Sequence, residues 1–341
     1  MGIARFSIIF IFSLCCFYNL QAQDPHFSQY FASPLTLNPA LTGKFDGLVR
    51  VAGNYRNQWP TISNAFRTGT ISADFQLLPG KLPVYDQLGV GIMGMYDESG
   101  NGTLKNNYIS GSVAYHKALD ENGYHHVGVG MSGTFAQWNL NAGKLIFEDQ
   151  LTSLGFTGNT AELIDLGQRL NLSYFSFNTG LLYSGSTNEY NRFYVGASMY
   201  HINRPEKSFQ GFGVQAKERY TLHAGGYFPV AAKTMLFLSG NFQSQHAARE
   251  IIGGAALGWM IDEDVTRPLD FYAGSWLRLG DAVIPFAGLD YGRLRIGVSY
   301  DINISGLTQA SRRQGGFELS LMYIQPYKDR NRKYLACPSN F

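Results

Sequence analysis

Charge is scarce in this 341-residue chain. Asp, Glu, Lys and Arg make up 15% of it, against about 25% in soluble globular domains. The signs nearly balance, with 27 basic and 25 acidic residues and a formal net charge of +2. That excludes the strongly basic surface of a nucleic-acid-binding protein. Cysteine is scarcer still: of three, Cys15 and Cys16 fall within the first 22 residues. If those leave with a cleaved leader, Cys337 stands alone and no internal disulfide can form. Beyond residue 22 no apolar run is long enough for a transmembrane helix, which needs about 20 residues. What the chain has instead is glycine, 39 residues, and aromatics, 14% of the total. Such a composition argues against intrinsic disorder and fits a β protein that hides its apolar surface by alternation.

Residues 1–22, MGIARFSIIFIFSLCCFYNLQA, read as a secretory signal peptide. Arg5 supplies the positive start, Phe6 to Tyr18 the apolar stretch, and Ala22 a small residue for cleavage. Bulky Leu14 before Cys15 speaks against a lipoprotein signal. The mature chain is expected to begin at Gln23. An exported chain without long apolar helices can span a membrane only as a closed barrel, in which every backbone polar group is paired.

Period-2 alternation dominates the mature chain. Phe317, Leu319, Leu321 and Tyr323 interleave with Glu318, Ser320 and Met322; Leu294, Ile296, Val298 and Tyr300 interleave with Arg295, Gly297 and Ser299. The interleaved face is mostly Gly, Ser and Thr with scattered charges. Strands are expected near 48–58, 65–76, 87–96, 104–116, 125–139, 173–184, 192–202, 219–228, 235–244, 250–260, 270–278, 282–289, 293–301 and 316–324. That is an all-β, antiparallel transmembrane β-barrel of about 14 strands, an even number as bacterial single-chain barrels have. The twelfth strand is the weakest, because Pro285 cannot donate to a ladder. With the N-terminus in the periplasm, the long connections 140–172, 203–218 and 302–315 all fall outside the cell, as in outer-membrane barrels. A short helix is expected near Ala161–Leu170. Trp59, Trp138, Trp259 and Trp276 lie near strand ends, where an aromatic girdle would place them. On this register Leu319 and Leu321 face lipid and Glu318 faces inward, so Leu321→Arg should cost far more than Glu318→Gln.

The segment after the leader, QDPHFSQYFASPLTLNPALTG, resembles the opening of the PorP/SprF family of outer-membrane proteins associated with type IX secretion and gliding. Asp24, Pro25, Phe27, Ser28, Gln29 and Tyr30, then Asn38, Pro39, Ala40 and Gly43, carry the resemblance; Cys337 and Pro338 add to it at the other end. It implies a barrel in the cell outer membrane that helps secrete or retain surface proteins such as adhesins. The same residues are then the candidates for family-specific contacts or partner docking. Pro25, Pro34 and Pro39 forbid a central strand or long helix here, and Phe27, Tyr30, Phe31 and Leu35 give the segment an apolar side. It could plug the barrel, lie on the periplasmic rim, or remain an exposed leader.

Other motifs carry less. Gly89, Gly91, Gly94 and Gly128, Gly130, Gly133 match a dinucleotide-binding spacing, but no strand-to-helix turn follows either set. The histidines show no convergent metal set, and Asp262-Glu263-Asp264 reads as a solvated turn. No spacing selects a nucleophile and its base. The expected organisation is a signal peptide (1–22), a pre-barrel segment (23–47), the barrel (48–324) and a basic periplasmic tail (325–341). The expected function is non-enzymatic, without cofactor, metal or nucleic acid. Its partners would be outer-membrane lipid, secreted or surface-anchored cargo and other secretion components. The alternative is a passive porin or small-solute channel. The apolar residues Leu145, Ile146, Phe147, Leu154, Phe156, Leu163 and Ile164 of the longest connection should pack into the lumen or against a protein.

Overall fold

Hydrogen-bonded closure organises this chain. A computed structural model describes residues 23–62, 66–153, 155–157, 160, 169–188, 191–207, 215–262 and 269–327. Fourteen antiparallel strands form one closed barrel. They are β1 (Val49–Gln58), β2 (Phe66–Leu77), β3 (Gln87–Ser99), β4 (Leu104–Ala118), β5 (His126–Asn141), β6 (Arg169–Ser186) and β7 (Arg192–Tyr200), followed by β8 (Arg219–Ala231), β9 (Thr234–Gln245), β10 (Ala248–Asp262), β11 (Leu269–Arg278), β12 (Ala282–Tyr291), β13 (Leu294–Asn303) and β14 (Gln314–Gln325). Neighbours follow chain order, and β14 returns to β1 with Val49 opposite Gln325 and Gln58 opposite Gly316. Closure leaves no sheet edge exposed. Among the described residues no helix is long and apolar enough to cross a membrane.

Every expected strand is present, with ends shifted by a few residues. In β12, Pro285 stands opposite Ser275 of β11, while the ladder to β13 skips Ile284 and Pro285 and resumes at Phe286 opposite Ser299. The missing N–H of proline thus interrupts one side of a strand that persists through the other. The expected helix near Ala161–Leu170 is corrected at its end, because Arg169 and Leu170 already belong to β6; residues 161–168 lie outside the described residues.

The two faces separate as the alternation requires. Along β14, Phe317, Leu319, Leu321 and Tyr323 are exposed on the outer wall, and Glu318, Ser320 and Met322 are buried inside. Along β13, Ile296, Val298 and Tyr300 point out, with Gly297 and Ser299 inward. An apolar wall of this extent suits lipid, not water. Two of the four tryptophans do not join a girdle. Trp276 is buried in the lumen, its indole N–H donating to Ser239 Oγ at 3.0 Å. Trp138 packs against Tyr174 in a second interior cluster. Both strands present these rings on the inward register, where they fill space that small wall residues leave. The long connections 142–168, 201–218 and 304–313 each follow an odd-numbered strand and therefore share one end of the barrel.

A charge on the outer wall should be costly. Leu321→Arg is expected to destabilise the folded barrel by about 2–4 kcal/mol if the site lies near the bilayer midplane, read as a lowered midpoint in urea titrations of lipid-embedded protein. An unchanged midpoint would show that Leu321 does not face lipid.

Candidate functional site

The lumen holds residues 24–46 of the chain itself. Asp24 sits at the long-connection end, its backbone N–H donating to Gln245 Oε1 at the close of β9 (2.8 Å). From there the segment descends through the barrel to Asp46, which lies 3.6 Å from Arg192 at the opposite end. Its prolines set its shape. Pro34 opens the single turn Pro34–Leu37 and Pro39 the 3-10 turn Pro39–Leu41, positions where a missing N–H costs nothing. Asn38, fully buried, caps the second turn by accepting from Ala40 N–H (2.8 Å). Its amide nitrogen reaches Leu181 O (3.0 Å) and His223 Nε2 (2.9 Å) on the wall. Gly43 follows at φ +71°, a left-handed conformation that glycine adopts at no steric cost.

The wall supplies what this irregular backbone lacks. Glu318 on β14 accepts from Ser28 N–H (2.7 Å) through one oxygen and from Gln29 N–H (2.8 Å) through the other. The Gln29 side chain donates to Ser299 Oγ (2.9 Å) and accepts from Ser320 Oγ (2.7 Å). At the other end Asp74 on β2 accepts from Gly43 N–H (2.8 Å) and is held by Arg50 of β1 in a two-pronged contact at 3.0 and 2.7 Å. Arg50 also donates to Leu41 O (2.9 Å). Arg56 pairs with Asp301 (3.1 Å) and Glu318 (3.0 Å) and donates to His26 O (2.7 Å). Arg278 extends the network to Glu250 and Asp301, each at 3.0 Å. Between these polar ends the contact is apolar: Phe31 packs at 4.9 Å from the Trp276 ring and 5.5 Å from those of Phe237 and Phe286. Tyr30 donates to Ser239 Oγ at 2.7 Å.

Glycines seat the segment. A side chain at Gly130 would collide with the backbone of Pro39 and Ala40, one at Gly89 with Thr42 and Gly43, and one at Gly180 with Asn38. Two glycines of the apparent dinucleotide motifs are thus places where wall and segment touch. Asp24, at the tip, is ringed by the His201 imidazole at 2.7 Å and by two cations, Lys207 at 3.3 Å and Arg219 at 3.9 Å. Burial alone would raise its carboxyl, but Lys207, His201 and Arg219 together hold it well below the usual carboxylate range. His201 also meets Ser176 Oγ at 2.8 Å. The resulting Asp–His–Ser chain looks like a nucleophile relay. Yet Ser176 is only 1% exposed and its hydroxyl donates to Asn178 (3.1 Å), so no substrate reaches it. The chain works as a latch for the tip.

The motif residues therefore converge. Asp24, Phe27, Ser28, Gln29, Tyr30, Asn38, Pro39 and Ala40 are buried inside the barrel, with Pro25 half-buried and Gly43 against Asp74. Cys337 and Pro338, like the basic tail residues, lie outside the described residues, as do Glu263 and Asp264. No cluster able to hold a metal ion occurs among the described residues. The charges scattered along the interleaved face are gathered inside: Arg50, Arg56, Asp74, Arg278, Asp301 and Glu318 are all buried in the lumen. Glu318 faces inward as expected, and both its oxygens accept from the segment. Sequence reasoning missed Arg50, Arg56, Asp74, Arg278 and Asp301 as functional, although each stands on the polar side of an alternating strand. The longest connection behaves otherwise. Ile146 is 79% exposed, Leu151 71% and Phe156 56%; Leu145 and Phe147 are half-buried. Leu154, Leu163 and Ile164 are outside the described residues.

Removing one partner of a buried ion pair leaves the other charge stranded. Asp74→Asn should cost about 3–5 kcal/mol, measured by denaturant titration. Glu318→Gln should loosen the segment and give channel openings in planar bilayers where the parent protein is quiet; a silent variant would mean that the Glu318 contacts do not hold the segment in place.

Residues 19–323 match the family model described as type IX secretion system membrane protein PorP/SprF. No curated relative matches the chain by sequence. Among solved structures it is similar to the Pseudomonas putida toluene transporter TodX (9% identity, TM-score 0.50, 89% of this chain and 98% of that one). It is also similar to the Ralstonia pickettii toluene transporter TbuX (9%, 0.44, 85% and 91%) and the translocator domain of the Neisseria meningitidis autotransporter NalP (9%, 0.38, 81% and 88%). At these identities the likeness is one of fold, the outer-membrane β-barrel.

Proposed function

The chain belongs to the PorP/SprF family of type IX secretion system membrane proteins, and from that premise we propose that it is a non-enzymatic outer-membrane barrel that holds a secreted, adhesin-like protein at the cell surface. One observation carries the reading. The lumen is occupied by the chain's own residues 24–47, while the longest connection turns apolar side chains, Ile146, Leu151 and Phe156, outward. Exposed apolar groups on a loop far longer than closure needs are what a protein contact uses. In this reading the long-connection end faces outside, and Asp24, Ser28, Gln29, Asn38 and Gly43 serve as structural anchors of the plug, with docking assigned to the loop. The short-turn end then faces the periplasm, where other secretion components and the basic tail meet. A passive porin is the second reading, and the filled lumen weighs against it.

Deleting residues 148–160 separates the two. The barrel should still assemble, a surface protein should be lost from the cells into the medium, and uptake of small solutes should stay within about twofold of the parent. If every surface protein stays in place and small-solute permeability rises instead, the loop is a lid on a channel and the docking reading fails.

A further inference from the structure

At the short-turn end, below the plug, lies a cavity of about 460 Å³. That is within the size range of small-ligand sites, roughly 300–1,000 Å³. Its walls include the rings of Phe45, Tyr124, Phe193, Tyr194 and Tyr227. Four charged side chains, Lys44, Asp46, Asp86 and Arg192, share the lining with these rings. The cations are not used up. Among the described residues Arg192 Nη2 is buried without a hydrogen-bond partner, and an Asp46 carboxylate oxygen lies 3.6 Å from Nη1. Among the described residues Lys44 makes one long hydrogen bond, to Gln87 at 3.5 Å. Asp86, on the same lining, does not compensate them, since it takes up Lys117 Nζ (3.0 Å) and Ala118 N–H (2.9 Å). With Asp86 taken up by Lys117, two cations face the single carboxylate of Asp46, and both Arg192 Nη2 and Asp46 Oδ2 are without a hydrogen-bond partner among the described residues.

The rim is built rather than loose. Tyr85 adopts φ +68°, left-handed and unfavourable for a tyrosine. Its ring presses on Gly123, where any side chain would collide with it, and its carbonyl meets His126 Nε2 at 3.0 Å. Held strain of this kind gathers at ligand clamps.

We propose that this cavity binds a small organic anion with an apolar, ring-sized body, its carboxylate on Arg192 and Lys44 and its body among the tyrosine and phenylalanine rings. The aromatic walls supply area for the body, and a carboxylate is the group that a guanidinium fork recognises in pairs of hydrogen bonds. The site is separate from the outward loop and stands whether or not that loop holds a surface protein.

Calorimetry on the full chain in lipid nanodiscs, with empty nanodiscs as the blank, tests it. The probes are 2-naphthoate and its uncharged counterpart 2-naphthalenemethanol. One equivalent of naphthoate should bind, at least tenfold tighter than the alcohol. Arg192→Gln should erase that preference while leaving the alcohol unchanged, and Ser184→Phe, which fills the cavity, should abolish both. Lys44→Gln provides a second charge deletion should Arg192→Gln fail to assemble. Uptake no greater than by empty nanodiscs, equal binding of the two probes, or naphthoate binding indifferent to the charge deletions would each overturn the proposal.

Discussion

A carboxylate that accepts two consecutive backbone N–H groups is the contact on which this structure turns. Glu318 takes Ser28 and Gln29 at 2.7 and 2.8 Å, and Asp74 does a similar service for Gly43. An irregular segment in an enclosed lumen cannot rely on a ladder to pair its main chain, and an unpaired buried amide is costly. Wall side chains replace the ladder. Charges are the strong choice for this, because a hydrogen bond to an ionised acceptor is shorter and stronger than a neutral one. Their own burial is then offset by Arg50 and Arg56, which also reach the segment's carbonyls. Wall and plug are thus one polar network, and neither is satisfied alone.

This division of labour explains the uneven use of a small charge complement. The outer wall carries mainly aliphatic and aromatic side chains, with charges such as Lys105, Lys117 and Arg249 at strand ends; the inner wall sets Arg50, Arg56, Asp74 and Glu318 against residues 24–47. Apolar contact does the rest, through Phe31 amid Trp276, Phe237 and Phe286. The lumen is therefore engaged inwardly, and surface available for another molecule lies at the two ends: the exposed apolar loop at one, the ring-lined cavity at the other.

The barrel was legible because its signal is local. Alternation at period 2 reports which side of a strand a residue occupies without knowledge of its neighbours, so even β12 with Pro285 was found, and the faces of Leu321 and Glu318 were assigned correctly. The plug was not legible in the same way. Its prolines excluded strand and long helix, but nothing in Ser28 or Gly43 says which wall residue, 290 positions away for the one and 31 for the other, will receive its N–H. Trp276 shows the same limit: its place near a strand end suggested an interface ring, and only the register, which turns it inward onto Phe31, reveals its role. Arg50 and Asp74 stood on the polar face in plain view, yet an inward charge reads alike whether it meets water or a buried backbone.

The bond between Ser28 and Glu318 joins residues 290 positions apart, and it lies beside the seam where β1 meets β14. The first strand and the last share a ladder, and the stretch preceding the first strand is enclosed by both. The last strand therefore does two jobs at once: the face of β14 that completes the circle also carries Glu318 and Ser320, which hold Ser28 and Gln29, so the seam of the wall is the seat of what fills it.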